Sequence, residues 1–192
     1  MLTIRNTLIA IIIASPVGLT ACSSGQQSDN QQSSSASLQS TAPNASAIRQ
    51  HYQATLSLQG EPGISADGKS VVVTVSVANT GTATFGSKTT PNNVNLAAHS
   101  VDATGKIIDN DLARGHLPQI APGAQAIASI LLPIDKVLNK SAELLPVQEG
   151  IGWFDAWGTK SLRVGPFNSC SNAIEKVCDD AGKPLQTITE KQ

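Results

Sequence analysis

The aromatic residues of this chain concentrate in one short stretch. The chain has two Trp, one Tyr and three Phe residues, and Trp153, Phe154 and Trp157 lie close together. An exposed indole can stack on the C–H face of a sugar ring, while a nearby carboxylate bonds hydroxyl groups. Asp155 and Glu149 are carboxylates within or beside this stretch. The pattern therefore predicts a candidate ligand-binding set of Trp157, Asp155 and Glu149.

Each of these side chains also has a structural interpretation. A buried Trp often fills the core of a β-sandwich, and alternation along a strand turns Trp153 and Phe154 to opposite faces. We expect Trp153 to be the one that packs in the core. For Trp157, in a Gly-bounded loop, core packing and surface exposure both stay open. Glu149 stands beside a glycine and could instead accept backbone N–H groups at a β-bulge.

No catalytic or metal-binding pattern accompanies these residues. A glycosidase needs two carboxylates about 5–9.5 Å apart on opposite sides of the scissile bond, and the sequence does not place Glu149 and Asp155 in that relation. The three His residues lack zinc-ligand spacing, and residues 102–111 lack the EF-hand pattern. There is no nucleophile elbow or phosphate loop. The sequence therefore predicts a non-enzymatic protein with no metal and no cofactor.

The N-terminus has the pattern of a secretion signal. Arg5 supplies a positive charge, residues 8–14 are apolar, and Pro16 and Gly18 interrupt the segment before a run of small residues. A membrane-spanning helix needs about 20 apolar residues, so this segment is too short to span. Residues 1–21 are therefore predicted to be a signal peptide.

The next feature is a cysteine at the end of that segment. Leu19-Thr20-Ala21-Cys22 resembles the lipobox of bacterial lipoproteins. The resemblance implies that the Cys22 thiol receives diacylglycerol, that the signal is cut before Cys22, and that the new amine is acylated. Several acyl chains, at roughly 0.8 kcal/mol per buried methylene, anchor a protein durably. Ser23, rather than Asp, then favours the outer membrane of a Gram-negative cell. The alternative is an ordinary secretory signal with a coincidental cysteine.

Composition separates a linker from a folded domain. Residues 22–47 are dominated by Ser, Gln and Asn, and Leu38 is their only large apolar residue. Such a segment cannot bury enough apolar surface to offset its ordering entropy, so it is predicted to be a disordered linker. The whole chain has 13 basic and 14 acidic residues. This balance gives no positive footprint for nucleic acid.

Two further cysteines stand near the C-terminus. Cys170 and Cys178 remain once Cys22 is lipidated, and in an oxidising compartment an even pair predicts a disulfide. The bond would close a small loop in a polar tail, residues 168–192, which we expect to be peripheral. The alternative is two free thiols in a frayed tail.

Residues 48–167 have the pattern of short strands separated by turns. The clearest strand is 69–78, where valine occupies alternate positions on one face, and Asn-Thr-Gly at 79–81 ends it. Roughly seven such strands, without a full-length amphipathic helix, predict an all-β fold. We expect an immunoglobulin-like antiparallel β-sandwich.

Several segments of this domain resemble a known bacterial family. They are residues 75–81 (VSVANTG), 105–108 (GKII), 117–118 (LP), 121–123 (APG), Pro133 and residues 147–154 (VQEGIGWF). Their order is similar to that in the immunoglobulin-like domains appended to glycosyltransferases and methyltransferases of surface-polysaccharide clusters, and in the glycan-recognising C-terminal domains of O-antigen exporters. The resemblance spans about residues 71–164. It implies a sandwich fold, contact with envelope polysaccharide, and no catalysis by this domain.

Together these features predict a lipid-anchored envelope lipoprotein, with its domain facing the periplasm or the cell surface. Its partners would be the membrane, through Cys22, and envelope polysaccharide. The alternative is an interaction or assembly accessory that holds another envelope protein through a sheet edge or a loop face.

The anchor can be tested by the substitution Cys22→Ala. Because the thiol is the acceptor of diacylglycerol, we expect the variant to lose lipid labelling and to leave the membrane fraction when cells are fractionated. Retention of the variant on membranes washed with high salt would show another anchor and contradict the assignment.

Overall fold

The computed structural model describes residues 51–89, 93–171 and 177–188. The predicted signal peptide, Cys22 and the predicted linker lie outside these ranges. The strands are β1 (Ala54–Leu58), β2 (Gly63–Ile64), β3 (Ser70–Asn79), β4 (Val94–Val101), β5 (Ile107–Gly115), β6 (Gln125–Pro133), β7 (Lys140–Gln148), β8 (Gly152–Trp153) and β9 (Leu162–Phe167). A one-turn helix, α1 (Ile134–Val137), follows β6, and a 3-10 helix (Phe154–Trp157) follows β8.

The strands form two antiparallel sheets. In the first sheet, β3 is central, with β1 and β2 on one side and β6 on the other. In the second sheet, the order is β5, β4 and β7, and both β8 and β9 pair with the far side of β7. The seven longer strands take the positions A, B, E and C′, C, F, G of an immunoglobulin-like sandwich. The predicted all-β sandwich is confirmed.

The core lies between the sheets and is built by strand alternation. The inward valines of β3, at positions 71, 73, 75 and 77, are fully buried, while its outward side chains are half-buried. Leu96 of β4 and Leu144 of β7 belong to the same buried cluster. Alternation places every second side chain on the same face of a strand. In β3 these four valines therefore face the second sheet, and the Ser and Thr side chains face outward.

A buried amide closes the end of β3. Asn79 is 1% exposed. Its Nδ2 donates to the carbonyl oxygens of Ala83 (2.9 Å) and Ile120 (3.0 Å), and its Oδ1 accepts from the N–H of Gly81 (3.0 Å). A Cβ at Gly81 would lie 2.4 Å from the carbonyl oxygen of His51. The Asn-Thr-Gly turn therefore ties β3 to the segments that precede β4 and β6.

The C-terminal segment packs on the sandwich, contrary to the expectation of a peripheral tail. A disulfide joins Cys170 and Cys178, and Asn168 and Cys178 exchange two backbone hydrogen bonds of 2.8 Å. Val177 and Leu185 belong to the hydrophobic core cluster. They lie in a largely polar segment with few apolar residues, which is why the sequence pattern did not reveal their burial.

The substitution Asn79→Ala should destabilise the domain. It leaves two carbonyl groups and one N–H without their side-chain partner at a buried site, and we expect the free energy of unfolding to fall by about 3 kcal/mol. Urea denaturation of the full chain carrying Cys22→Ala measures this. Ser76→Ala, on the outward face of the same strand, is the matched control and should change the value by about 0.5 kcal/mol at most. Equal losses in both variants would contradict the role of Asn79.

Candidate functional site

The outward face of the second sheet gathers aromatic and charged side chains. The strand registers place Ala97 opposite Leu145, and Val147 opposite Trp153. None of these four belongs to the core cluster between the sheets. Outward side chains of this sheet include Asn95, Ala97, His99, Arg114, Glu143, Leu145, Val147, Trp153 and Arg163. Ala97, Leu145 and Val147 are nevertheless buried, so other side chains cover the middle of this face.

Trp153 and His99 lie at the centre of the side chains that cover this face. Their ring centroids lie 3.7 Å apart, with the planes 36° from parallel. His99 is 3% exposed, and its Nδ1 lies 2.8 Å from the carbonyl oxygen of Asn110. A carbonyl oxygen only accepts, so Nδ1 carries the proton and the hydrogen bond orients the ring. The half-buried indole of Trp153 therefore rests on a side chain that is itself held in place.

Arg114 connects Trp153 to two carboxylates. Its guanidinium carbon lies 5.0 Å from the centroid of the Trp153 ring, which is within the range of a cation–π contact. Its Nε lies 3.3 Å from Oε1 of Glu149, and its Nη1 contacts the carboxylate of Asp111. Asn95 Nδ2 donates to the same Glu149 oxygen at 2.6 Å. We use the name indole platform for six side chains: Asn95, His99, Asp111, Arg114, Glu149 and Trp153.

The expectation that Trp153 fills the core is wrong. Phe154 is the fully buried residue of the pair, and it packs edge-on against Phe85 with ring centroids 5.3 Å apart. Trp153 lies opposite Val147, whose side chain points away from the core. Alternation did turn the two aromatics to opposite faces, but the register of the two-residue strand β8 points Trp153 outward.

The predicted set of Trp157, Asp155 and Glu149 does not come together as one cluster. Trp157 is partly buried and packs on Tyr52 and Phe154, with ring centroids 5.6 and 5.0 Å away. Asp155 is exposed, and its Oδ1 accepts from the N–H of the next residue at 2.8 Å. Glu149 makes its contacts in the indole platform instead. Of the three, only Glu149 lies beside an outward-facing Trp.

Tyr52 links the 3-10 helix to the second sheet. Burial raises the pKa of its hydroxyl above the usual value, and a hydrogen bond with the side chain of Gln148 partly offsets this. A raised pKa keeps the hydroxyl protonated at neutral pH. Trp157 is therefore held against a neutral polar group and the core aromatics, in a packing role.

The chemistry available at the indole platform is that of binding. It offers part of an indole surface, donors on Arg114 and Asn95, and acceptors on Glu149 and Asp111. Across the described residues there is no group of three or more His, Cys, Asp or Glu side chains placed to hold a metal ion. Arg114 and Asn95 were not predicted, because they lie 35 and 54 positions from Glu149 and only the sheet register joins them.

No helix in the part of the chain that the structure describes has the length and apolar character needed to cross a membrane. A scan against models of known protein families gives no match, and a search of curated protein sequences finds no significant similarity.

Proposed function

We propose that this chain is a bacterial envelope lipoprotein, anchored through Cys22, whose sandwich domain binds envelope polysaccharide without catalysing a reaction on it. The anchor rests on the signal-like N-terminus and the lipobox resemblance of residues 19–22. Such a protein would sit in the outer membrane, with the domain facing the periplasm or the cell surface.

The observation that carries the binding proposal is the indole platform. Trp153 presents an aromatic surface outside the sheet, next to side chains that donate and accept hydrogen bonds. A sugar offers an apolar C–H face beside hydroxyls that both donate and accept, so the two surfaces are complementary. His99 holds the indole from one side, and the Glu149 contacts hold Arg114. Little side-chain freedom is then lost when a ligand binds, which favours affinity.

The same geometry favours binding over hydrolysis. The carboxylates of Glu149 and Asp111 both contact the guanidinium of Arg114, so they lie around one cation. A glycosidase instead needs its two carboxylates on opposite sides of the bond that breaks. In this proposal both carboxylates act as acceptors for hydroxyl groups.

The substitution Trp153→Ala tests the proposal. It removes the stacking surface, so we expect binding to fall by at least about tenfold, equivalent to ~1.4 kcal/mol. Isothermal titration of the full chain carrying Cys22→Ala, against polysaccharide purified from the source bacterium, measures this. Asp155→Asn is the matched control, because this exposed carboxylate lies on the 3-10 helix and outside the indole platform. The variant should bind with the affinity of the parent protein.

Circular dichroism and thermal melting establish whether the variants stay folded. Trp153→Ala should retain a cooperative transition, since Trp153 lies outside the core cluster. Unchanged affinity in a folded Trp153→Ala variant would place the sugar site elsewhere. If Trp157→Ala alone lost binding while folded, the contact surface would be the 3-10 helix. No binding by the parent protein would contradict the polysaccharide proposal.

A second candidate function, attachment of another envelope protein, is favoured by the outward face of the first sheet. Among the described strand residues that point outward on that face, none is charged. Its members are Thr55, Ser57, Gly63, Ser70, Val72, Thr74, Ser76, Ala78, Gln125, Ile127, Ser129, Leu131 and Pro133. Ile127 and Leu131, both on β6, are 64% and 54% exposed. Exposed apolar residues grouped on one face are a common mark of protein interfaces.

Site-specific photo-crosslinking in the source bacterium tests this second candidate. A photo-crosslinking amino acid at Leu131 should give one discrete product with an envelope protein, and the product should disappear when Ile127→Lys is added. Ile151 is the matched control position, because it is as exposed as Ile127 at 64% and lies before β8 in the second sheet. Products of equal yield from positions 131 and 151 would contradict a specific interface.

A further inference from the structure

A cavity of about 530 Å³ opens between the sandwich and the C-terminal segment. Its walls come from the end of β1 and the turn after it, from β9, and from residues 179–188. None of its lining residues belongs to the indole platform. A volume of this size falls within the range of pockets that take small molecules.

Part of the cavity lining is apolar. Phe167, at the end of β9, is 1% exposed, and Leu185 is 8% exposed. Val164 and Pro184 line the same space, and Leu58, which is 39% exposed, lies toward solvent. These walls would favour the apolar part of a ligand, because its burial removes hydrocarbon surface from water.

The charged residues of the lining leave an excess of carboxylates. Lys183 is paired with Glu61 at 2.7 Å. Arg163 directs its guanidinium elsewhere, since Nη2 donates to the carbonyl oxygen of Asp102 at 2.9 Å. Asp179 and Asp180 also line the cavity. One Asp179 oxygen accepts from the N–H of Lys183 at 2.8 Å, and the Asp179 charge also acts on the Lys183 ammonium. Among the ion pairs of the described residues, none includes Asp180.

The outer wall of the cavity is fixed before any ligand arrives. The disulfide at Cys178 stands directly before Asp179. Ile64 donates its N–H to the carbonyl oxygen of Gln186 and accepts from the N–H of Ile188, both at 2.8 Å. A Cβ at Gly63 would lie 2.4 Å from Cγ1 of Ile188. Only a glycine at position 63 therefore lets the C-terminal wall lie this close to β2.

We propose that this cavity binds a small amphiphilic cation. The apolar body lies against Leu58, Pro184 and Leu185, and a single ammonium group lies beside the carboxylates of Asp179 and Asp180. This site is separate from the indole platform and does not rest on the proposed polysaccharide binding. A surface contact with a carboxylate contributes up to about 1 kcal/mol, so charge selects among ligands whose apolar body supplies most of the affinity.

Three probes with the same phenylbutyl body test the proposal: 4-phenylbutylamine, 4-phenylbutanol and 5-phenylpentanoate. Binding is followed by chemical-shift changes in the isotope-labelled full chain carrying Cys22→Ala. We expect the amine to bind about fivefold more tightly than the alcohol, and the carboxylate to bind most weakly. The largest changes should fall on residues 164–167 and 183–187. Raising the salt concentration should reduce the difference in affinity between the amine and the alcohol, because salt screens the contact of the ammonium group with the carboxylates.

Substitutions separate the charge effect from the apolar effect. Asp180→Asn should bring the amine close to the affinity of the alcohol and leave the alcohol unchanged. Asp155→Asn, which removes an exposed carboxylate outside the cavity, should alter neither. Leu58→Trp should weaken all three probes by narrowing the cavity.

Three results would overturn the proposal. One is equal affinity of the parent protein for the amine and the alcohol. Another is tighter binding of the carboxylate probe. The third is the absence of chemical-shift changes on residues 164–167 and 183–187 when the amine is present at ten times the expected dissociation constant or more. We expect that constant to be about 1 mM, equivalent to a binding free energy of ~4 kcal/mol.

Discussion

Two sheets can bury their apolar faces against each other only if paired strands keep the same alternation. Ser76 of β3 lies opposite Ser57 of β1 and Ile127 of β6, so all three point outward together, while the valines of β3 point inward. A slip of one residue in any pairing would move a strand's apolar side chains to the solvent face. The registers that build the core therefore also decide what each outer face displays. The uncharged face of the first sheet and the indole platform of the second follow from this single constraint.

Local patterns were sufficient where alternation is long and regular. The valines of β3 and the Asn-Thr-Gly turn predicted a strand of the right span, and enough strands of this kind predicted the sandwich. Alternation alone could not say which of Trp153 and Phe154 points inward, because β8 has only two residues and takes its orientation from Val147 on β7. The burial of Leu185 was also beyond prediction. Its segment has few apolar residues, and it is held by long-range contacts with β2 and by the disulfide.

In the candidate site, too, local patterns predicted some residues, while others depend on long-range strand pairing. Glu149 was predicted because it stands near the aromatic cluster in the chain. Arg114 and Asn95 were not, since each reaches Glu149 only through the pairing of β5 and β4 with their neighbours. His99 had been considered as a zinc ligand and set aside. Its hydrogen bond to the carbonyl of Asn110 and its stacking under Trp153 give it a supporting role that no local motif encodes. A sequence shows which residue types could bind a ligand, whereas the strand register decides which of them meet.

The nearly balanced charge of the chain conceals a division between its surfaces. On the second sheet, Arg114 and Arg163 lie among carboxylates, and each guanidinium contacts a Glu, at 3.3 and 3.9 Å respectively. Exposed pairs of this kind add little stability, but they hold long side chains in one geometry. The described strand residues on the outward face of the first sheet are all uncharged, so ion pairs with these residues do not select a partner. Selectivity there must come from shape and from hydroxyl groups such as Thr74 and Ser129, whose oxygens lie 2.9 Å apart. The two faces therefore offer different chemistry: charged side chains and hydrogen-bond donors on one, and hydroxyl groups beside the exposed Ile127 and Leu131 on the other.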